Sequence, residues 1–360
     1  MRCGKEPKEK PLHTRETIVE AKFDKQKKKR TGKILSVCLI VFLVLFVLYW
    51  VFIYFLVSMA LVPSFMQKLE SFDRITQKSY AEQVQSNEIE DHRKEALEKT
   101  KAWLKEVSHA KREVISDDGY HLIAEEFLQE GGAAEGHDWV ILLHGYTGIK
   151  EEMYPFAYEY YQRGYHALVP DLRCQGASEG DFIGMGYTDS QDLCHWIDLV
   201  IKEDPKARII LHGQSMGAAT ALIYSGRPDA EEHIRAVMSD SSYTDAYTMF
   251  GEKAYDWFHL PAFPLVDSMR LMLLLRGGYD LYDASAINAV KSSSIPTLLI
   301  HGDQDRMISA AQSAELYEAA SCPKKLLIIE GAGHGQPQDK DPKTYYGEVF
   351  DWIASALAGV

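Results

Sequence analysis

The sequence predicts an α/β domain with a mostly parallel sheet, covered by helices on both faces and preceded by one N-terminal transmembrane helix. Three observations predict it. Residues 34 to 62 carry no charge, short apolar runs alternate with amphipathic stretches from residue 113 onward, and glycine, serine, aspartate and histidine gather where those apolar runs end. The 360 residues, 46% hydrophobic and 25% charged, have the composition of a globular protein with a substantial core.

The chain begins with a basic tail. Residues 1–33 hold 12 Lys/Arg against 5 Asp/Glu, whereas the remainder holds 27 against 47. A surface this acidic repels phosphate backbones, so nucleic acid is not an expected partner. The run that follows, residues 34–62, exceeds the ~20 residues that a bilayer core requires. A cleaved signal peptide is the rival reading, because Ser58-Met59-Ala60 resembles a small-residue cleavage site, but signal cores span only ~7 to 15 apolar residues. Cys38 opens the apolar run rather than closing it, which argues against a lipoprotein signal. Between Lys22 and Lys33 lie seven basic residues, and after the run only Lys68, Arg74 and Lys78 compare with them. By this asymmetry the N-terminus stays in the cytoplasm and the chain from about residue 67 onward is extracytoplasmic, with the tail also able to hold anionic lipid.

Residues 63–112 read as a helical stalk or linker, rich in Glu, Lys, Gln and Ala, with Trp103 and Leu104 docking one end onto the domain that occupies 113–360. Cys174, Cys194 and Cys322 lie beyond the span without C-x-x-C spacing, so neither a disulfide framework nor a zinc site is indicated. A single Cys174–Cys194 bridge stays open.

The domain starts with a hairpin, EVISDDGYHLIAEEFL, turning at Asp118-Gly119. Six apolar runs follow: WVILLHG (139–145), HALVPDL (166–172), RIILHGQ (208–214), IRAVMSD (234–240), TLLIHGD (297–303) and KLLIIEG (325–331). Helical stretches such as MYPFAYEYYQR, SQDLCHWIDLVI and SAAQSAELYEAA separate them, which is the pattern of a parallel sheet buried on both faces. In such sheets function gathers at the carboxyl ends of the strands.

Ser215 stands at one of those ends, between RIILHGQ and the helix-forming MGAATALIYSG. A strand-to-helix turn this tight strains the serine and exposes its hydroxyl, and Gly213 and Gly217 remove side chains that would collide. A serine hydroxyl alone is a poor nucleophile, so a base and an orienting acid are required. For this arrangement the expected chain order is Ser, acid, His. Asp303 and Asp305 both follow TLLIHG, and only His334, in the loop EGAGHGQP, remains beyond them. Asp305 is assigned as the acid, with Asp303 shaping the turn and Asp240 in reserve. The backbone amides of Tyr146 and Met216 complete the site as oxyanion donors. His144, His212 and His301 each precede a glycine at a strand end and are read as loop anchors, since none follows the acid.

HGYTG, DLRCQGASEGD, GQSMG, HGDQD and GAGH, in this order and spacing, resemble the α/β-hydrolase superfamily. More narrowly, the chain is similar to membrane-anchored bacterial cell-surface α/β hydrolases of the serine aminopeptidase-like group. The resemblance covers roughly 113–358 and implies a three-layer sandwich with Ser215 as nucleophile, Asp305 as acid, His334 as base, and Tyr146 with Met216 as oxyanion hole. Such enzymes commonly carry Arg-Gly-His-Gly where this chain has Arg173-Cys174-Gln175-Gly176, so Cys174 stands where a left-handed residue is penalised. Arg173 and Asp171 are read as loop braces.

Between Asp240 and Thr297 lies an insertion too short for a large lid domain. Its Trp257, Phe258, Phe263, Leu265 and Met269 either line an acyl cleft or bury helices on the sheet, and core packing is the preferred reading. Tyr146 and Tyr243 are candidate polar groups of the pocket. The expected function is a single-pass membrane serine hydrolase that cleaves carboxylic esters through an acyl-enzyme, with no metal or organic cofactor. A serine peptidase or aminopeptidase on short peptides is the first alternative. Acyl transfer and a non-catalytic binding protein are further alternatives.

Overall fold

The structure, a computed structural model, describes residues 15–66, 85–132 and 136–359. The chain divides into two compact units, Met1–Tyr54 and Phe55–Val360. Most of the first is part of one long helix, α1 (Arg15–Leu61). Its uncharged stretch rises ~1.5 Å per residue, giving about 42 Å against a hydrocarbon core of ~30 Å. Phe42, Leu45, Val47 and Leu48 point outward in different directions around it and are all exposed. A helix apolar on every side has no water-compatible face, and by length and composition this one can cross a membrane.

The second unit is built on eight strands: β1 (His109–Ile115), β2 (His121–Phe127), β3 (Asp138–Leu143), β4 (His166–Pro170), β5 (Arg208–Gln214), β6 (Ile234–Asp240), β7 (Thr297–Gly302) and β8 (Lys324–Ile329). They lie in the order β1-β2-β4-β3-β5-β6-β7-β8. The first hairpin pairs antiparallel, β2 meets β4 antiparallel, and every later pairing is parallel. The mostly parallel sheet is therefore the one expected from the alternating sequence pattern. Central strands read as continuous apolar runs because both faces are covered.

On one face, α2 (Asn87–Trp103), α3 (Tyr154–Tyr161) and the C-terminal helix pack over Val140, Leu142, Ile210, Met238, Leu298 and Ile300. On the other lie α4 (Tyr187–Glu203) and α5 (Met216–Ser225), the latter buried along its whole length. The insertion after β6 forms α6 (Ala246–Phe258) and α7 (Ala262–Gly277). Then α8 (Ala310–Ala319) packs beside β7 and β8, and α9 (Pro342–Leu357) closes the chain.

Residues 67–84 of the expected stalk lie outside the described residues. The described remainder is seated on the domain: Trp103 stacks on Phe127 at 4.8 Å between ring centroids, and Arg93 donates to Asp339 at 2.8 Å. Its sparse apolar content is explained by this seating, since α2 buries only Ile89, Thr100 and Trp103.

Candidate active site

Ser215 follows β5 and precedes α5, with φ 55° and ψ −115°. A non-glycine residue held there is strained, and the surrounding glycines show what holds it. A Cβ on Gly213 would lie 2.1 Å from the Gly217 carbonyl oxygen, and one on Gly217 would lie 2.1 Å from that of Leu143. Strand and helix thus pass at backbone contact, and Ser215 N–H is pinned by donating to the Asp240 carbonyl at 2.8 Å. Met216 is the first residue of α5, so its N–H has no acceptor within the helix.

The structure brings Ser215, His334 and Asp305 together from the ends of β5, β8 and β7. Ser215 Oγ lies 2.9 Å from His334 Nε2, and His334 Nδ1 lies 2.8 Å from Asp305 Oδ2. With the proton on Nδ1 donated to the carboxylate, Nε2 is left to accept from the serine hydroxyl. Both side chains behind Ser215 are almost wholly shielded from water.

Burial alone would raise the Asp305 pKa. The His334 imidazole and hydrogen bonds from His301 and His334 outweigh it and hold the carboxyl well below its ordinary range. Its second oxygen, Oδ1, accepts from the backbone N–H groups of Met307 and Ile308 at 2.8 and 2.9 Å. His301 is thus more than a loop anchor. Its Nε2 lies 3.1 Å from Asp305 Oδ2 and 2.9 Å from the Ile308 carbonyl, while Nδ1 accepts from Ser313 Oγ at 2.6 Å. Asp305 therefore sits between two imidazoles.

Asp240 does not touch His334. It is fully buried and accepts from Ser241 Oγ at 2.8 Å and from the Tyr345 hydroxyl at 3.0 Å. Asp303 closes the turn, accepting from Gly331 N–H at 2.6 Å. His144 is a loop anchor, bonded to the Gly145 carbonyl at 2.8 Å and accepting from Leu172 N–H at 2.9 Å. His212 lies between the hydroxyls of Tyr160 and Tyr345, each 3.0 Å away. Arg173 braces its loop through a bidentate pair with Asp192 at 2.7 Å for both contacts, and Asp171 holds the Lys150 backbone N–H at 2.7 Å.

Cys174 takes φ 68°, the left-handed conformation that its sequence position implies. Cys174 and Cys194 are both free thiols, so the open question of a bridge between them resolves against it. Burial pushes the Cys174 thiol up to about 12. Tyr243 is no pocket group, because its buried hydroxyl donates to the Met185 carbonyl at 2.9 Å. The Tyr146 hydroxyl donates to the carbonyl of Ala60. In the insertion, Leu265 and Met269 are buried, but Trp257, Phe258 and Phe263 are exposed and so do not pack into the core.

A cavity of about 940 Å³ is bounded by α2, Glu152, Gln214 and Gly335, and none of Ser215, His334 and Asp305 lines it. Gln214 and Gly335 adjoin Ser215 and His334 in sequence. The buried Gln214 Nε2 has no hydrogen-bond partner, a donor that sequence reasoning missed although it sits inside the G-x-S-x-G stretch. A second cavity of about 490 Å³ lies between α6 and Asp305-Arg306-Met307.

A strained serine at a strand-to-helix turn, served by a histidine and an acid from later strand ends, defines the hydrolases of the α/β class. The family model for the alpha/beta hydrolase family matches residues 140–346, and the chain belongs to that family. YfhR of Escherichia coli K12, whose function is uncharacterised, is 30% identical over 222 residues, covering 61% of this chain and 70% of its own. YqkD of Bacillus subtilis, likewise uncharacterised, is 29% identical over 219 residues, covering 59% and 70%. Among solved structures, the Pyrococcus furiosus esterase Pf2001 has the same fold with a TM-score of 0.55 at 21% identity, covering 69% of this chain and 93% of its own.

Proposed function

We propose that this hydrolase is a membrane-anchored, extracytoplasmic serine hydrolase that cleaves carboxylic esters. The observation that carries the reading is the unbroken hydrogen-bonded line from Ser215 through His334 to Asp305, 2.9 and 2.8 Å long, starting at a strained serine. In the proposed reaction His334 Nε2 takes the Ser215 proton as Oγ attacks the ester carbonyl. The oxyanion is held by the amides of Tyr146 and Met216, at the positive end of α5. Collapse of the intermediate breaks the ester C–O bond, and the imidazolium returns its proton to the departing alkoxide. Water then attacks the acyl-serine, again deprotonated by His334, and releases the acid. Asp305 stays ionised and holds the imidazole in its working tautomer. Carboxylic esters come first because their leaving group needs the least help, and an esterase shares the fold. Anchoring rests on the long apolar α1, and the orientation on the seven basic residues before it.

The full chain treated with a fluorophosphonate probe tests the nucleophile: labelling is expected in the parent and lost in Ser215→Ala. Equal labelling of both would refute Ser215. The alternative, a serine peptidase acting on short peptides, would use the same hydrogen-bonded line. Alkyl p-nitrophenyl esters set beside aminoacyl anilides separate the two, and turnover of anilides alone would defeat the esterase reading.

A further inference from the structure

The outer face of the insertion after β6 carries a row of apolar side chains that the proposed reaction does not use. Along α7, Leu271, Leu274 and Leu275 recur at helical spacing on the exposed side, with Leu275 73% exposed. Phe263, 74% exposed, lies at the kink that opens α7, and Trp257 and Phe258 end α6 just before it. The charged groups of α7 are all paired. Asp267 accepts from the Tyr247 hydroxyl at 3.0 Å, Arg270 makes a bidentate pair with Asp280 at 2.5 and 2.6 Å, and Arg276 donates to Ser58 Oγ at 2.8 Å. An apolar face of this kind, with its charges turned away, needs a covering phase.

The Arg276–Ser58 bond identifies the phase. Ser58 and Leu61 end the long apolar run and are buried within the Phe55–Val360 unit. Two further bonds fix the same turn: Ile183 N–H donates to the Leu61 carbonyl at 2.9 Å, and the Tyr146 hydroxyl donates to Ala60. With the run read as a span, its last turn lies at the boundary of the hydrocarbon layer. The end of α7 and the loop that carries Tyr146 are bonded to that turn. We infer that the exposed face of α6–α7 rests on a lipid bilayer surface, its leucines in the acyl boundary and its aromatic side chains at headgroup level. This inference rests on the membrane-anchor reading and is independent of the esterase reading.

The test uses the full chain reconstituted in phosphatidylcholine vesicles, with benzoylphenylalanine placed singly at Leu275, Phe263, Phe46 or Glu232 and irradiated. Glu232 is an exposed residue just before β6, at the end of that strand opposite to the one from which the insertion leaves. Phosphatidylcholine adducts are expected at positions 275, 263 and 46, and at most a tenth as much at 232. Adducts at 46 but not at 275 or 263 would overturn the docking surface while leaving the anchor intact. No adduct at 46 would remove the anchor and the inference with it, and the Ser215 reading would stand. Cross-links from 275 to a second copy of the chain, in place of lipid, would equally overturn it, as would equal labelling at 232.

Discussion

Two of the imidazoles that sit in lines of hydroxyls ending on a buried aspartate, His334 and His212, differ in ways that bear on what the proposed site requires. His334 joins Ser215 to Asp305 from the loop that follows β8. His212 joins Tyr160 to Tyr345, and Tyr345 passes the line on to Asp240. In the second line every hydroxyl is a tyrosine inside the core, with its pKa pushed far above the ordinary value by burial. Burial likewise pushes His212 down to about 3, so it stays neutral and cannot exchange a proton near neutrality. Hydrogen-bond order alone does not distinguish the two lines. A strained, partly exposed hydroxyl does.

The largest expected effects break the first line. Ser215→Ala and His334→Ala should each lower kcat on the order of 10⁶-fold. Asp305→Asn should cost about 10⁴-fold, because the amide favours the wrong tautomer of His334. Asp240→Asn should leave kcat within about tenfold, since the carboxylate touches no residue of the proposed line. Steady-state hydrolysis of a p-nitrophenyl ester measures all four. A mild Asp305→Asn with a severe Asp240→Asn would exchange the roles assigned to the two acids.

A smaller effect sharpens the comparison from the side of the acid. His301→Phe removes one hydrogen bond to Asp305, and a bond to a charged group contributes ~1.5–3 kcal/mol, so kcat/KM should fall about tenfold or more. A fall as large as that of Asp305→Asn would mean that His301, rather than His334, is the imidazole the acid serves. In the second line, Tyr345→Phe cuts His212 from Asp240. It should cost about 1–3 kcal/mol in urea unfolding and leave kcat unchanged. A drop in kcat beyond tenfold in folded Tyr345→Phe protein would merge the two lines into one functional network.

The fold was legible because its signals are local and repeated. Each apolar run from WVILLHG to KLLIIEG corresponds to a strand, and the strand ends named the residues that meet at the candidate site. Ser215, Asp305 and His334 could be ordered from chain position because only one histidine follows the acid. Contacts between distant segments could not be read in that way. Tyr345 lies 133 residues from His212 and 105 from Asp240, and no periodicity ties them together. His301 was visible in HGDQD, but only the bend after β7 turns Asp305 back onto its ring. The aromatic residues of the insertion were read as core because hydrophobicity does not say which phase covers a side chain, and the structure leaves Phe263 bare.

The smallest expected effect concerns protons taken up without any reaction. In the unfolded chain His212 titrates near ~6.5, whereas in the fold burial holds it down to about 3. Between these values the unfolded state binds the extra proton, so stability must fall as pH is lowered from about 6.5. At pH 5 this one group removes on the order of 2 kcal/mol. His166, pushed down to about 4 by burial and by its neighbour His137, acts in the same direction. Urea unfolding at pH 7 and pH 5 should therefore show a loss in the parent that is reduced by ~2 kcal/mol in His212→Phe, whatever that variant's stability at pH 7. An equal loss in both proteins would mean that His212 is protonated in the fold, and the contrast between the proposed catalytic imidazole and a silent one would fail at its second member.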